Sequence, residues 1–301
     1  MAEVIDMKGR TVVSGMVEAH VHIGINGEPD YEANAIRETI PMVALKASVY
    51  AKQDLLAGFT TLRTMGDEGY IDVALKRAID SGLLDGPRLR VSGEALSITG
   101  GHGDFVLPPE VSMTDTLRGA VIVDSPDEAR KAARYQLKMG ADLIKLLATG
   151  GVLSGESEVG AAQLTEEEMR AAIMEAHKVG KKATAHAHGS EGIKNAIRAG
   201  VDSIEHGTLL DDECIEMMLE RGVFLVPTLS AIYNMKKYGI EGGLPELTAR
   251  KNDEVASVHV QNFIKAYRAG VRIASGTDAG SPFNRHGEEA QELELMVQAG
   301  V

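Results

Sequence analysis

The 301-residue sequence contains no tryptophan, a single cysteine and only 4% aromatic residues. One cysteine, Cys214, excludes an intramolecular disulfide and a thiolate metal cluster, which suits a reducing compartment. Its setting, LLDDECIEMMLERG, has helical periodicity and assigns the thiol to the core. Long apolar runs are missing too. Nothing approaches the roughly eighteen consecutive apolar residues of a membrane span, and the N-terminus MAEVIDMKGR lacks the apolar stretch of a signal peptide. A soluble, cytoplasmic protein without a membrane partner is the expectation. Positive charge is scarce: 31 basic against 44 acidic residues leave a net charge of −13. That excludes a nucleic-acid face and attraction to anionic membranes. It does not constrain a small-molecule substrate, because a metal centre can dominate the local field.

What is abundant is glycine, 33 residues placed mostly as punctuation between short apolar runs and longer helical patterns. Eight runs read as strands: 11–22, 59–67, 88–96, 141–151, 181–189, 201–208, 223–230 and 271–280. The segments between them carry helix ends. SPDEARKAARYQLKMG offers Ser125 as cap with Pro126 behind it, and LTEEEMRAAIMEAHKVG offers a capping box, Thr165 with Glu168. Repeated β-then-α units imply parallel strands and right-handed crossovers. Eight of them, in a chain of this length, predict a single (β/α)₈ TIM-type barrel over 1–301. An open doubly wound sheet is the alternative, but no glycine-rich nucleotide fingerprint follows the first strand. Two connections, 97–124 and 231–258, are too long for simple βα loops and belong on the face where barrel active sites form.

Ordinary barrel strands carry Val, Ile and Leu inward. Here polar residues gather late in the runs, where each strand meets its loop: His20 and His22, Lys145, His186, His206 and Asp278. In VEAHVHIG, alternation turns His20 and His22 to one side. Lys145 in DLIKLLATGG shares a face with Leu143 and Leu147, so its charge must be neutralised or its chemistry altered. Singly, each has a packing explanation: a satisfied core histidine, a loop cap, a buried ion pair. Together, six ligand-type residues opening to one mouth point to metal catalysis.

The order of these residues resembles the amidohydrolase superfamily. The phrases VIDMKGRTVVSGMVEAHVH, GFTTLRTMGD, DLIKLLATGG, AHAHG, DSIEHGT, VPTLS and SGTDAG are most similar to its imidazolonepropionase-related branch, which holds metal-dependent Xaa-Pro and Xaa-Arg dipeptidases. The resemblance implies that His20, His22 and Asp278 hold a buried metal and His186 and His206 a more exposed one. Lys145, carboxylated by carbon dioxide, would bridge the two. Zinc suits these donors first, with manganese or cobalt as alternatives. Asp278 would take a proton from a metal-bound water and deliver it to the leaving group. His102, in TGGHGD, would bind the scissile carbonyl and Tyr233 a substrate carboxylate. His188 lines the mouth or supports a neighbouring ligand.

The remaining candidates read as structural. His286 orders its loop, His177 and His259 are surface or packing residues, Met217 and Met218 fill the core, and Arg63 makes an ion pair. The sequence departs from the family at SGMVEAH, where proline-glycine and aspartate are usual. It also departs in the β-sandwich segments, of which residues 1–10 would be a remnant. Either the sequence is a fragment or the barrel is trimmed, with oligomerisation covering apolar surface; a homo-oligomer is expected. The implied activity is hydrolysis of an amide bond in a dipeptide or N-acyl amino acid. A lactone, carbamate, organophosphate or cyclic amidine is the alternative substrate, and an inactive barrel serving as a scaffold the alternative class.

Overall fold

The glycine-punctuated runs become a ring of parallel strands. The computed structural model describes residues 6–30, 37–105, 119–155 and 157–301. In chain order its strands are β1 (Met16–Val21), β2 (Phe59–Thr64), β3 (Arg88–Arg90), β4 (Leu96–Ser97), β5 (Val121–Ile122), β6 (Leu143–Leu147), β7 (Lys182–Gly189), β8 (Ser203–Leu209), β9 (Phe224–Val226) and β10 (Arg272–Ile273). They form two parallel arcs, β1-β2-β3 and β10-β9-β8-β7-β6-β4-β5. The arcs meet at both seams. Asp142 N–H donates to the Val91 carbonyl beyond β3, Ala19 N–H donates to the Ser275 carbonyl, and a parallel bridge joins Val21 to Ala279. The chain is a TIM-type barrel, as expected.

Two details differ from expectation. The run 88–96 is one strand broken at Gly93, which sits at φ +64°; β3 pairs with β2, while β4 turns to pair Leu96 with Leu146 of β6. A side chain at Gly93 would strike Gln136 Oε1 at 2.6 Å, so both conformation and space require glycine. The long connection 97–124 then contributes β5 beside β4; its residues 106–118 lie outside the described ones. The second long connection, 231–258, is helical rather than loop. It holds most of α7 (Leu229–Tyr238) and the first half of α8 (Glu246–Ala269), joined through a glycine-rich turn. Val255, His259, Phe263 and Ala266 recur at helical spacing and are buried, so α8 has an apolar face to dock.

Helix ends follow the expected chemistry. Ser125 Oγ accepts Glu128 N–H at the start of α3 (Pro126–Met139), and the Thr165–Glu168 capping box opens α4 (Glu166–Lys178). On the strands, Ile144, Leu146, Ala183, Ala185, Ala187 and Ile204 face outward and pack against Ala133, Met169, Ala172, Ile173, Ala196 and Ile197. Cys214 lies in the same core, and burial pushes its thiol up to about 12. The alternate positions face inward, where the barrel is unusually polar. A separate apolar cluster, including Val152, Ile232, Met235 and Val255, sits above the mouth. Among the described residues no helix is long and apolar enough to cross a membrane.

Candidate metal centre

Strand alternation explains most of what reaches the centre of the barrel. On β1, Glu18 and His20 face inward; on β7, Thr184, His186 and His188; on β8, Ser203 and Glu205. All are buried. Lys145 projects inward from β6 and is 2% exposed. His206 follows Glu205 and would point outward in a regular strand. Instead it adopts φ +72°, which swings its ring back to the centre. Asp278 (φ +65°) and Thr228 (φ +51°) are also in the left-handed region. Such conformations are costly for non-glycine residues and persist where the surroundings hold them for a purpose.

The imidazoles converge. His20 Nε2 and His22 Nε2 each lie 3.2 Å from Asp278 Oδ1. Ring centroids of His20 and His206 are 5.1 Å apart, those of His186 and His206 4.7 Å, and those of His186 and His188 4.7 Å. Donor atoms of His20, His206 and Asp278 lie within 4.8 Å of one another, as do those of His186, His188 and His206. The outer ring nitrogens are tied down. His20 Nδ1–H donates to Glu205 Oε2 (2.8 Å), and His22 Nδ1–H donates to the Gly66 carbonyl (3.0 Å). His206 Nδ1 pairs with Thr228 Oγ1 (2.8 Å) and His188 Nδ1 with Thr208 Oγ1 (2.7 Å). This is the outer support that metal-ligating histidines require. Among the described residues His186 Nε2 is buried without a hydrogen-bond partner, and His20 Nε2 faces only the Asp278 carboxylate. Lone pairs left unused in a buried site fit a cation.

Electrostatics agree with that fit. Burial, reinforced by neighbouring His102 and His188 respectively, holds His186 and His206 well below the usual histidine range, so both are neutral donors at pH 7. Burial opposes ionisation of Asp278, yet His20 and His22 keep its carboxyl well below the usual range. Burial lowers the Lys145 amine to about 8 despite the opposing charges of Glu205 and Asp278. Glu205 is an anion for the same kind of reason: burial disfavours it, but Arg63 and His20 hold it ionised.

A model of the amidohydrolase family matches residues 11–300. The chain belongs to the amidohydrolase family. It is 33% identical over 304 residues to ochratoxinase of Aspergillus niger, covering 96% of this chain and 61% of that protein. The chain thus spans less than two thirds of that curated relative. Among solved structures it is similar to a Xaa-Pro dipeptidase with bound methionine, at 39% identity and TM-score 0.85, covering 96% of this chain and 71% of that one. It is also similar to a prolidase complexed with N-methylphosphonate-L-proline, at 33% identity and TM-score 0.87, covering 98% and 72%.

Of the residues singled out in the amidohydrolase sequence, His20, His22, Lys145, His186, His188, His206, Asp278 and His102 all line one cleft. The His102 ring stacks on His186 at 4.2 Å, and burial lowers it to about 4. Tyr233 is different: it is 45% exposed on α7, and its helix neighbours Ile232 and Met235, not Tyr233, line the cleft. Period 3.6 turns consecutive helix residues to different faces, which a loop-based alignment could not register. Arg63 makes the expected ion pair, with Glu205 (2.8 Å). His259 and His286 are buried, and both hold backbone at the site. His259 Nε2 faces the His206 carbonyl (3.3 Å); His286 bonds Asp54 and faces the carbonyls of His22 and Ile25. His177 stays peripheral, paired with Asp202.

Glu205 is one residue that sequence reasoning missed. Its signal was present, since alternation from Ser203 puts it inside the barrel. The adjacent His206 drew attention away from it.

Proposed function

We propose that this chain is a metal-dependent hydrolase that cleaves an amide bond in a small substrate, a dipeptide or an N-acyl amino acid. One observation carries the proposal: ligand-type side chains from five different strand ends meet around buried imidazole nitrogens at the floor of a single cleft. His20, His22 and Asp278 would hold one divalent cation, His186 and His206 a second, with Lys145 as a carbamate between them; zinc suits the donors. When bound, such ions lower the pKa of a shared water and polarise a carbonyl. Asp278 would take a proton from the attacking water and return it to the departing nitrogen.

His102 faces the same space. Ser154 Oγ accepts Gly151 N–H (2.7 Å) and has its own hydroxyl hydrogen to donate to His102 Nδ1 (2.9 Å). With that hydroxyl donating, His102 would carry its proton on Nε2, where it could donate to a substrate carbonyl oxygen. Val152, Leu153, Ile232 and Met235 form an apolar wall, which favours a substrate with an apolar group beside the cleaved bond. The names of the related proteins point the same way. Protein reconstituted with zinc and bicarbonate is tested against N-acyl amino acids and dipeptides, with lactones, carbamates and phosphotriesters beside them. The proposal expects turnover of amides above the esters; esters alone would overturn the substrate class.

A second reading rests on His186, His188 and His206, whose donor atoms also converge. Three imidazoles can hold a single zinc with an open fourth position, and Lys145 would then stay an amine.

The Lys145 amine gives the carbamate a pH signature. Carbon dioxide adds only to the neutral amine. With a pKa of about 8, roughly one amine in ten is neutral at pH 7 and about nine in ten at pH 9. At fixed dissolved carbon dioxide, activation of the metal-free protein should therefore be up to about tenfold faster at pH 9 than at pH 7, levelling above 9. A rate still climbing steeply beyond pH 10 would indicate an ordinary lysine.

A further inference from the structure

Lys251 is 1% exposed, on a helix that touches the site from behind. A buried ammonium is expensive unless its protons are taken up. Its Nζ donates to three backbone carbonyls of one loop: Ser154 (3.0 Å), Gly155 (2.7 Å) and Ser157 (2.7 Å). That loop leaves β6 after Lys145 and places Val152 and Leu153 on the cleft wall. It also carries the Ser154 hydroxyl that meets His102 Nδ1. The His102 backbone is fixed separately: its N–H donates to Gln163 Oε1 (2.9 Å), and its carbonyl accepts from Ser97 Oγ (2.6 Å). The imidazole itself is held by its stack on His186 and, at Nδ1, by the Ser154 hydroxyl. The same helix supports one other strand end, that of β8, through His259 on the His206 carbonyl and Asn262 on the Thr208 carbonyl (2.9 Å). At Lys251 it places a charge against the loop.

We propose that Lys251 is a positioning residue for the hydrolytic site. By gathering the carbonyls of 154, 155 and 157 it holds Ser154 where its hydroxyl keeps His102 oriented, with the Nε2 proton toward substrate. Lys251 touches no substrate itself. This rests on the reading of His102 as the group that binds the scissile carbonyl.

The test is a set of mutant cycles in the zinc- and bicarbonate-loaded full chain, using the best amide found in the substrate panel. Lys251→Met and Ser154→Ala should each lower kcat/KM about 10–100-fold, the order expected when a substrate-contacting group is misplaced. Bound zinc should not change. The double variant should be no worse than the poorer single one, and in a His102→Ala background Lys251→Met should cost less than about twofold. In ¹⁵N spectra of the side-chain imidazoles, the Nε2–H form of His102 should weaken in Lys251→Met and in Ser154→Ala alike. If Lys251→Met does not fold, Lys251→Gln enters the same cycles.

Losses that multiply, or a Lys251 variant with parental kcat/KM and an unchanged His102 spectrum, would overturn the positioning role while leaving His102 in place. A His102→Ala protein with parental kcat/KM would remove the reading of His102, and this assignment with it.

Discussion

A Lys145→Met protein should bind at most one divalent cation per chain and hydrolyse amides at least about 10³-fold more slowly than the parent, because the loss falls on a group acting with the whole centre. Methionine reproduces the length and volume of the lysine stem between Leu143 and Leu147, so the barrel should close as before. It also removes an amine that burial already drives toward its neutral form. The metal-free variant should consequently unfold at a temperature equal to or above that of the parent. Elemental analysis, steady-state kinetics and thermal denaturation of the same preparation separate these effects. Two ions per chain with parental turnover would remove the carbamate from the account. One ion with substantial turnover would favour the three-imidazole centre.

Glu205→Gln should act through stability and metal affinity together. Glu205 accepts from Arg63 Nη2 (2.8 Å), Ser203 Oγ (2.8 Å), Thr184 Oγ1 and His20 Nδ1 (2.8 Å), and it is fully buried. An amide of the same shape leaves the Arg63 guanidinium without its counter-charge. Breaking one partner of a fully buried pair costs about 3–5 kcal/mol; with Arg63 partly exposed, a loss toward the lower end is expected. It also removes the anion that orients His20, and loss of such outer partners typically weakens metal binding about 10–100-fold. Chemical denaturation of the metal-free protein measures the first effect, and competition with a zinc chelator the second. Arg63→Met should lose stability but keep most of the metal affinity, because His20 retains its carboxylate. Equal affinities in Glu205→Gln and parent would show that His20 needs no such partner.

Much of this was legible in the sequence because strand alternation and barrel geometry are strong constraints. Once eight βα units are read, residues late in each strand must face one mouth. His20, His22, Lys145, His186 and Asp278 then converge whatever the loops do. Three things were not legible. The break at Gly93 lies where Gln136, from a helix far away in sequence, and Tyr70, from the turn after β2, crowd the strand. The inward turn of His206 depends on a backbone conformation that alternation does not anticipate. Lys251 and His259 act through backbone carbonyls, which carry no residue-specific pattern. A buried lysine within a helix reads only as a charged position among ELTARKNDEV. Tyr233 shows the converse limit: a residue type suited to a role, placed by helical periodicity on the exposed side.

The arrangement also accounts for where strain is accepted. Of the five left-handed non-glycine residues among the described ones, three, His206, Thr228 and Asp278, belong to one connected group, since Thr228 supports the His206 ring and Asp278 meets His20 and His22. Glu292 steadies the turn behind them by accepting the backbone N–H groups of Leu229 and Ser230, each at 2.8 Å. At these three positions the conformational cost falls where ligand geometry would benefit from it.

A crystal structure of the zinc- and bicarbonate-treated protein, phased on the zinc edge, tests the central claim most directly. Two anomalous peaks about 3.5–4 Å apart are predicted. One should lie against His20, His22 and Asp278, the other against His186 and His206, with branched density extending from Lys145 Nζ between them. A single peak bound by His186, His188 and His206, above an unmodified Lys145, would contradict it.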